Sequence, residues 1–204
     1  MLEPAQENPY PDSHVLGEGP EPHPQLQPVL GLIGRWHGRG SGEYPTLEHG
    51  FRYEQEITFA HDGRPFLVYE SRAWLIDDSG KAVRPAGRET GWWRILPDAS
   101  VEVTLAHPTG IVETYVGQVS RADGADGADG AGSTDGAVRA DGADGTRIEM
   151  ATDTVGLTPR AKEVTGMRRR YALEDGGLTI VQEMAAVGRP MQHHLQARLF
   201  PRKD

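Results

Sequence analysis

The chain has 204 residues, a formal net charge of −9 and no cysteine. The acidic balance disfavours nucleic acid as a partner, because phosphate binding needs a basic face. The missing cysteines exclude disulfides, thiolate metal sites, cysteine nucleophiles and covalent haem attachment through a Cys-x-x-Cys-His motif.

Residues 1–28 are proline-rich with little apolar periodicity and are expected to form a disordered tail. A short helix candidate, Leu26 to Leu32, is interrupted by Pro28. From residue 29 to 202 nearly every segment reads as strand. The run Gly34-Arg35-Trp36-His37-Gly38-Arg39-Gly40-Ser41-Gly42 is extended, and alternation puts Gly34, Trp36, Gly38, Gly40 and Gly42 on one face. Glycines there imply close approach of another backbone or of a ligand. Next, Phe51, Tyr53, Ile57 and Phe59 alternate with Arg52, Glu54, Glu56 and Thr58 in a half-buried strand. Further strands are predicted over 65–76, 90–96, 100–106, 111–120, 146–154, 163–173, 178–187 and 191–200. Asp62-Gly63, Asp78-Ser79-Gly80, Pro97-Asp98, Asp175-Gly176-Gly177 and Gly188-Arg189-Pro190 supply the turns.

The stretch 121–145, built from Ala-Asp-Gly units, reads as a low-complexity loop insertion. Its aspartates lack the hydrophobic residue of a nonapeptide calcium repeat. About ten strands with short connections predict an antiparallel meander, and closure would remove its edges. The expected fold is therefore all-β, an up-and-down barrel of the lipocalin and fatty-acid-binding type enclosing a small-ligand cavity. No window is long and apolar enough to span a bilayer, and no secretory signal is visible, so a cytoplasmic location without membrane contact is expected.

Few residues stand out as chemical. His14 and His23 fall in the tail, and His37, His49, His61 and His107 read as turn or surface residues. In Arg168-Arg169-Arg170, Arg169 faces opposite to its neighbours, and the cluster reads as a solvated strand edge. His193 and His194 lie within a strand, so only one of them can face a cavity. Alternation groups His193 with Met191, Leu195, Ala197 and Leu199, and His194 with Gln192, Gln196 and Arg198. An apolar-inside rule selects His193. No nucleophile elbow, zinc-protease motif or dinucleotide loop is present.

The run from Gly34 to Pro45 resembles the signature of the nitrobindins, small haem-binding β-barrels. The resemblance continues through Phe59-Ala60-His61, Arg64-Pro65-Phe66-Leu67, Glu89-Thr90-Gly91, Leu105 to Gly110, Ala161 to Thr165 and Met184 to Leu195. These blocks keep the family's order from about residue 29 to 200 and cover most of the chain. The resemblance implies one non-covalent haem b per chain, with His194, the histidine directly followed by leucine, as axial ligand. It implies haem contacts at Thr46 and Lys162, ferric iron with an open position, isomerisation of peroxynitrite to nitrate, and binding of nitric oxide. Met184 is expected on the open side. The alternative is a lipocalin-like carrier of a small apolar ligand without metal. Oligomeric state is not indicated by the sequence.

Overall fold

The computed structural model describes residues 10–121 and 145–202. A 3-10 helix, Pro24–Leu32, precedes ten strands: β1 (Gly34–Gly42), β2 (Phe51–Ala60), β3 (Phe66–Ile76), β4 (Ala82–Ile95), β5 (Ser100–His107), β6 (Ile111–Arg121), β7 (Thr146–Leu157), β8 (Val164–Glu174), β9 (Gly177–Ala186) and β10 (Arg189–Pro201). Each strand pairs antiparallel with its successor, and β1 closes on β10 to complete a barrel. The up-and-down barrel expected from the alternation is the fold observed. No described helix is long and apolar enough to cross a membrane.

The glycines of β1 lie where β10 crosses closest. Gly38 pairs with Leu199, Gly40 with Ala197 and Gly42 with Leu195. A Cβ on Gly38 would collide with the Arg198 carbonyl, and one on Gly40 with the Gln196 carbonyl and the Tyr53 ring. The close neighbour is therefore backbone at Gly38, and backbone together with an aromatic ring at Gly40. Trp36 points inward on the same strand and donates from Nε1 to the Leu32 carbonyl at 2.8 Å.

That bond ties the 3-10 helix to the barrel, and here the expected tail needs correction. Residues 10–28 are not all loose. Ser13 and His61 exchange backbone hydrogen bonds at 2.7 and 2.9 Å, and the helix begins at Pro24. Leu26, Val29 and Leu32 are fully buried. Their spacing of three matches the 3-10 repeat, in which such residues stack on one face. Pro28 has no N–H to donate to an α-helical ladder, which favours the short tight form. Residues 1–9 of the tail, and 122–144 of the Ala-Asp-Gly stretch, lie outside the described residues. The flanks of that stretch, Arg121 and Thr146, pair directly.

Strand β4 is longer than predicted. Its first half is solvent-exposed, with Pro85 and Gly87 and no alternation to read, and its pairing with β3 is interrupted between Arg72 and Trp74. The helix covers the end where β1 starts, above a core of Phe59, Tyr69, Trp93 and Tyr171. Trp93 meets Tyr171 edge-on at 4.9 Å and Phe59 at 5.2 Å. The opposite end, where β2, β6, β8 and β10 begin, is open.

Candidate functional site

A cavity of about 270 Å³ opens at that end. Phe51, Tyr53, Ile111, Val164, Met167, Met184 and Leu195 give it an apolar wall, and Gln55, Ser71, Glu89, Glu113, Arg169 and Gln182 a polar inner lining. His107 and His194 also line it. Met184 stands on the wall of this cavity.

A break in strand geometry sets which of His193 and His194 lines the cavity. Along β10, His193 pairs with Glu183 but Leu195 pairs with the next residue, Gln182. His194 is thus the extra residue of a β-bulge, which resets the alternation of faces. His194 and Leu195 both line the cavity, while His193 lines grooves on the outside. Alternation fails here because it assumes an uninterrupted pleat.

The His194 ring is half-buried and held from two sides. Its Nδ1 lies 3.2 Å from the Glu43 carbonyl, so Nδ1 carries the hydrogen and donates it. Tyr44 meets the ring edge-on at 5.3 Å, and the Tyr44 hydroxyl donates to the Ala186 carbonyl at 3.0 Å. The Nε2 has no hydrogen-bond partner among the described residues. Burial pushes the imidazole pKa below its ordinary value, against the pull of the Glu43 carbonyl, and keeps the ring neutral.

Deeper in the cavity, Arg169 is almost fully buried and clamps two carboxylates. It donates to both oxygens of Glu89, at 2.9 and 2.7 Å, and to Glu113 at 3.2 Å. Tyr69 donates to Glu89 at 3.0 Å, and Tyr115 to Glu113 at 2.6 Å. His107 Nε2 approaches Glu113 at 3.1 Å. Burial alone would raise the Glu113 pKa, but the His107 hydrogen bond and the Arg169 charge outweigh it and hold it down at about 2. Glu89 is held below its ordinary value by the same guanidinium against the same penalty.

Neither Arg169 nor His107 was legible as an interior residue from its type. Arg169 does alternate in phase with Met167 and Tyr171, and that phase was the available signal. Glu89, His107, Glu113 and Arg169 are far apart in sequence, and only barrel closure brings them together. Thr46 and Lys162 do not line the cavity. Thr46 sits on an exposed turn two residues past Tyr44, and Lys162 on an exposed loop two residues before Val164, which pairs with Ala186. Both flank the open mouth.

The donor set suits a haem: one neutral imidazole with an unpartnered nitrogen, its other nitrogen fixed, within apolar walls. A family model described as the THAP4-like, haem-binding β-barrel domain matches residues 25–127 and 131–200. A peroxynitrite isomerase of Streptomyces griseus subsp. griseus is 51% identical over 200 residues, 98% of this chain and 95% of that protein. A second peroxynitrite isomerase, from Salinispora tropica, is 44% identical, covering 97% of this chain and 90% of the relative. Among solved structures, Rv2717c from M. tuberculosis superposes with a TM-score of 0.73 at 36% identity, over 90% of this chain and all of that one. With a haem-binding family model spanning the barrel and relatives of this identity along nearly its whole length, the chain belongs to the THAP4-like haem-binding β-barrel family, the nitrobindins.

Proposed function

We propose that this protein binds one haem b without a covalent link, through His194 in the open-end cavity, and isomerises peroxynitrite to nitrate. The observation that carries the reading is the state of His194: a neutral, half-buried imidazole, Nδ1 fixed by the Glu43 carbonyl, Nε2 unpartnered at a cavity wall. This is the arrangement of a metal-binding histidine, in which the outer hydrogen bond sets the tautomer and the ring angle. It also favours haem over a metal-free apolar carrier, which has no use for an oriented lone pair.

When bound, ferric haem supplies a Lewis-acidic iron toward small nitrogen–oxygen anions and nitric oxide. The chain's own contributions are orientation and exclusion of water. Tyr44 and the bulge hold the His194 ring that would bind the haem, and the apolar side chains of Phe51, Ile111, Val164 and Met184 would exclude water around it. At the mouth, the exposed Thr46 hydroxyl would offer a hydrogen bond and the Lys162 ammonium a charge to the haem carboxylates.

Titrating the apo-protein with haemin tests the reading. A Soret band at one equivalent, followed by faster decay of peroxynitrite to nitrate in stopped flow, is the expected result. A colourless protein that takes up a fatty acid instead would make it a carrier.

A further inference from the structure

His107, at the end of β5, resembles His194 in holding one ring nitrogen to a fixed partner, but its partner is a carboxylate. The His107 Nε2 lies 3.1 Å from Glu113 Oε2 and 3.7 Å from Glu89 Oε2. The same Glu113 oxygen receives the Tyr115 hydroxyl at 2.6 Å and an Arg169 amino group at 3.2 Å. An oxygen collecting these donors beside a guanidinium is ionised and has no proton to give. The hydrogen between the two residues therefore sits on His107 Nε2, which leaves Nδ1 as the ring nitrogen able to exchange a proton with a ligand. Nδ1 has no partner among the described residues, and the ring lines the cavity with 19% of its side-chain surface exposed. A buried carboxylate that fixes an imidazole and leaves its far nitrogen free is the arrangement that makes a histidine a general base.

The charges around it point the same way. Glu89 from β4 and Glu113 from β6 bring two negative charges, and Arg169 from β8 brings one positive charge. The remaining titratable groups on the cavity wall are Arg88 on β4, Tyr53 on β2 and His194 on β10. None of these groups hydrogen-bonds Nδ1 of His107, among the described residues. Ligand atoms of Glu89, His107 and Glu113 lie within 4.8 Å of one another, as a metal site would need. A divalent cation there would be forced against Arg169, which already holds both carboxylates.

We infer that His107, oriented by Glu113, is the acid–base residue of the cavity and takes the proton of a small oxyacid, peroxynitrous acid in the isomerisation proposed above. The inference rests on that reading. The O–H bond of the acid breaks and its proton goes to the Nδ1 lone pair, giving an imidazolium and the peroxynitrite anion. Within the anion the O–O bond breaks and a new N–O bond forms. Nitrate leaves, and the imidazolium returns its proton to water. No electrons are gained or lost overall, and no co-reactant is needed.

Azide and nitric oxide separate the inference from the function it rests on. At mildly acid pH part of the azide is hydrazoic acid, which must shed a proton to bind a ferric haem as the anion, whereas nitric oxide has none to shed. In the haem-loaded full chain, His107→Gln and His107→Phe are expected to keep the Soret band and the nitric oxide association rate. Azide association, and peroxynitrite decay with it, should slow roughly 100-fold. Wild-type azide rates in both variants overturn the role of His107 while leaving haem binding intact. A wild-type protein with no Soret band overturns the function instead. Should the variants fail to fold, the wild-type protein labelled with 15N-histidine decides. An unprotonated Nδ1 that moves toward the imidazolium position on azide addition is the expected signal, and a hydrogen resident on Nδ1 before addition overturns the proposal.

Discussion

Arg169 is almost fully buried and faces both Glu89 and Glu113, so its charge offsets carboxylates that burial would otherwise penalise. Breaking a buried pair from one side leaves uncompensated charge. Arg169→Met is therefore expected to destabilise the protein by about 3–5 kcal/mol in urea unfolding. Combining it with Glu113→Gln should cost less than the sum of the two changes, because the second removes a charge that the first left stranded. Strictly additive costs would show that the clamp does not hold Glu113. At Gly38 the constraint is steric. An added methyl has only the Arg198 carbonyl and the Leu199 backbone to meet, so Gly38→Ala should cost about 1–3 kcal/mol by overpacking. For the two adjacent histidines, His194→Ala should abolish haem uptake, and His193→Ala, on the outer face, should leave it in place. The reverse result would mean that the bulge does not set the ligand.

The strands themselves were readable because a half-buried strand writes its two faces into alternate residues, as Phe51 to Phe59 do in β2. Readability ends where that condition ends. The first half of β4 has solvent on its residues and no pattern to show, and the bulge in β10 inverts the pattern within a single residue. The helix was half-readable: Leu26 to Leu32 was visible as an element, but prolines hid its start and its burial. Leu26→Ala should therefore cost about 2–5 kcal/mol, as for any fully buried leucine, although it lies within a stretch whose proline-rich composition suggests a tail. The hairpins show a different limit. Asp175-Gly176 and Val187-Gly188 both turn with two positive φ angles, 50° and 65° in one, 47° and 72° in the other. Aspartate tolerates that conformation, but a β-branched valine does not. Val187→Asn should raise stability by up to about 1 kcal/mol, read as a higher melting temperature, without altering haem uptake. A lower melting temperature would show that the Val187 side chain holds the mouth together.

Buried imidazoles and buried carboxylates lose their share of stability in different pH ranges, which lets the two kinds of group be observed separately. At the closed end His61 is fully buried beneath the Ser13 segment, with Nδ1 accepting from the Gly63 amide and Nε2 unpartnered. Burial lowers its pKa from 6.5, against the opposing charges of Asp62, Asp12 and Glu21. A base with a depressed folded pKa binds its proton more readily in the unfolded chain. Its share of stability is thus complete above 6.5 and declines as the pH falls below that value. At the open end the sign is the same but the range is lower. Glu113 falls from 4.5 when unfolded to about 2 when folded, and Glu89 is lowered with it. The stability these carboxylates supply is complete above 4.5 and is lost as the pH falls toward 2. Melting temperature measured against pH should therefore decline in two stages, the shallower one first. His61→Asn, whose side-chain oxygen can still accept from Gly63, should make the first stage shallower, leaving the part that the half-buried His194 contributes, and leave the Glu113 stage unchanged. If the variant follows the wild-type curve throughout, His61 is already solvated in the folded protein, and the Ser13 segment does not seal that end of the barrel.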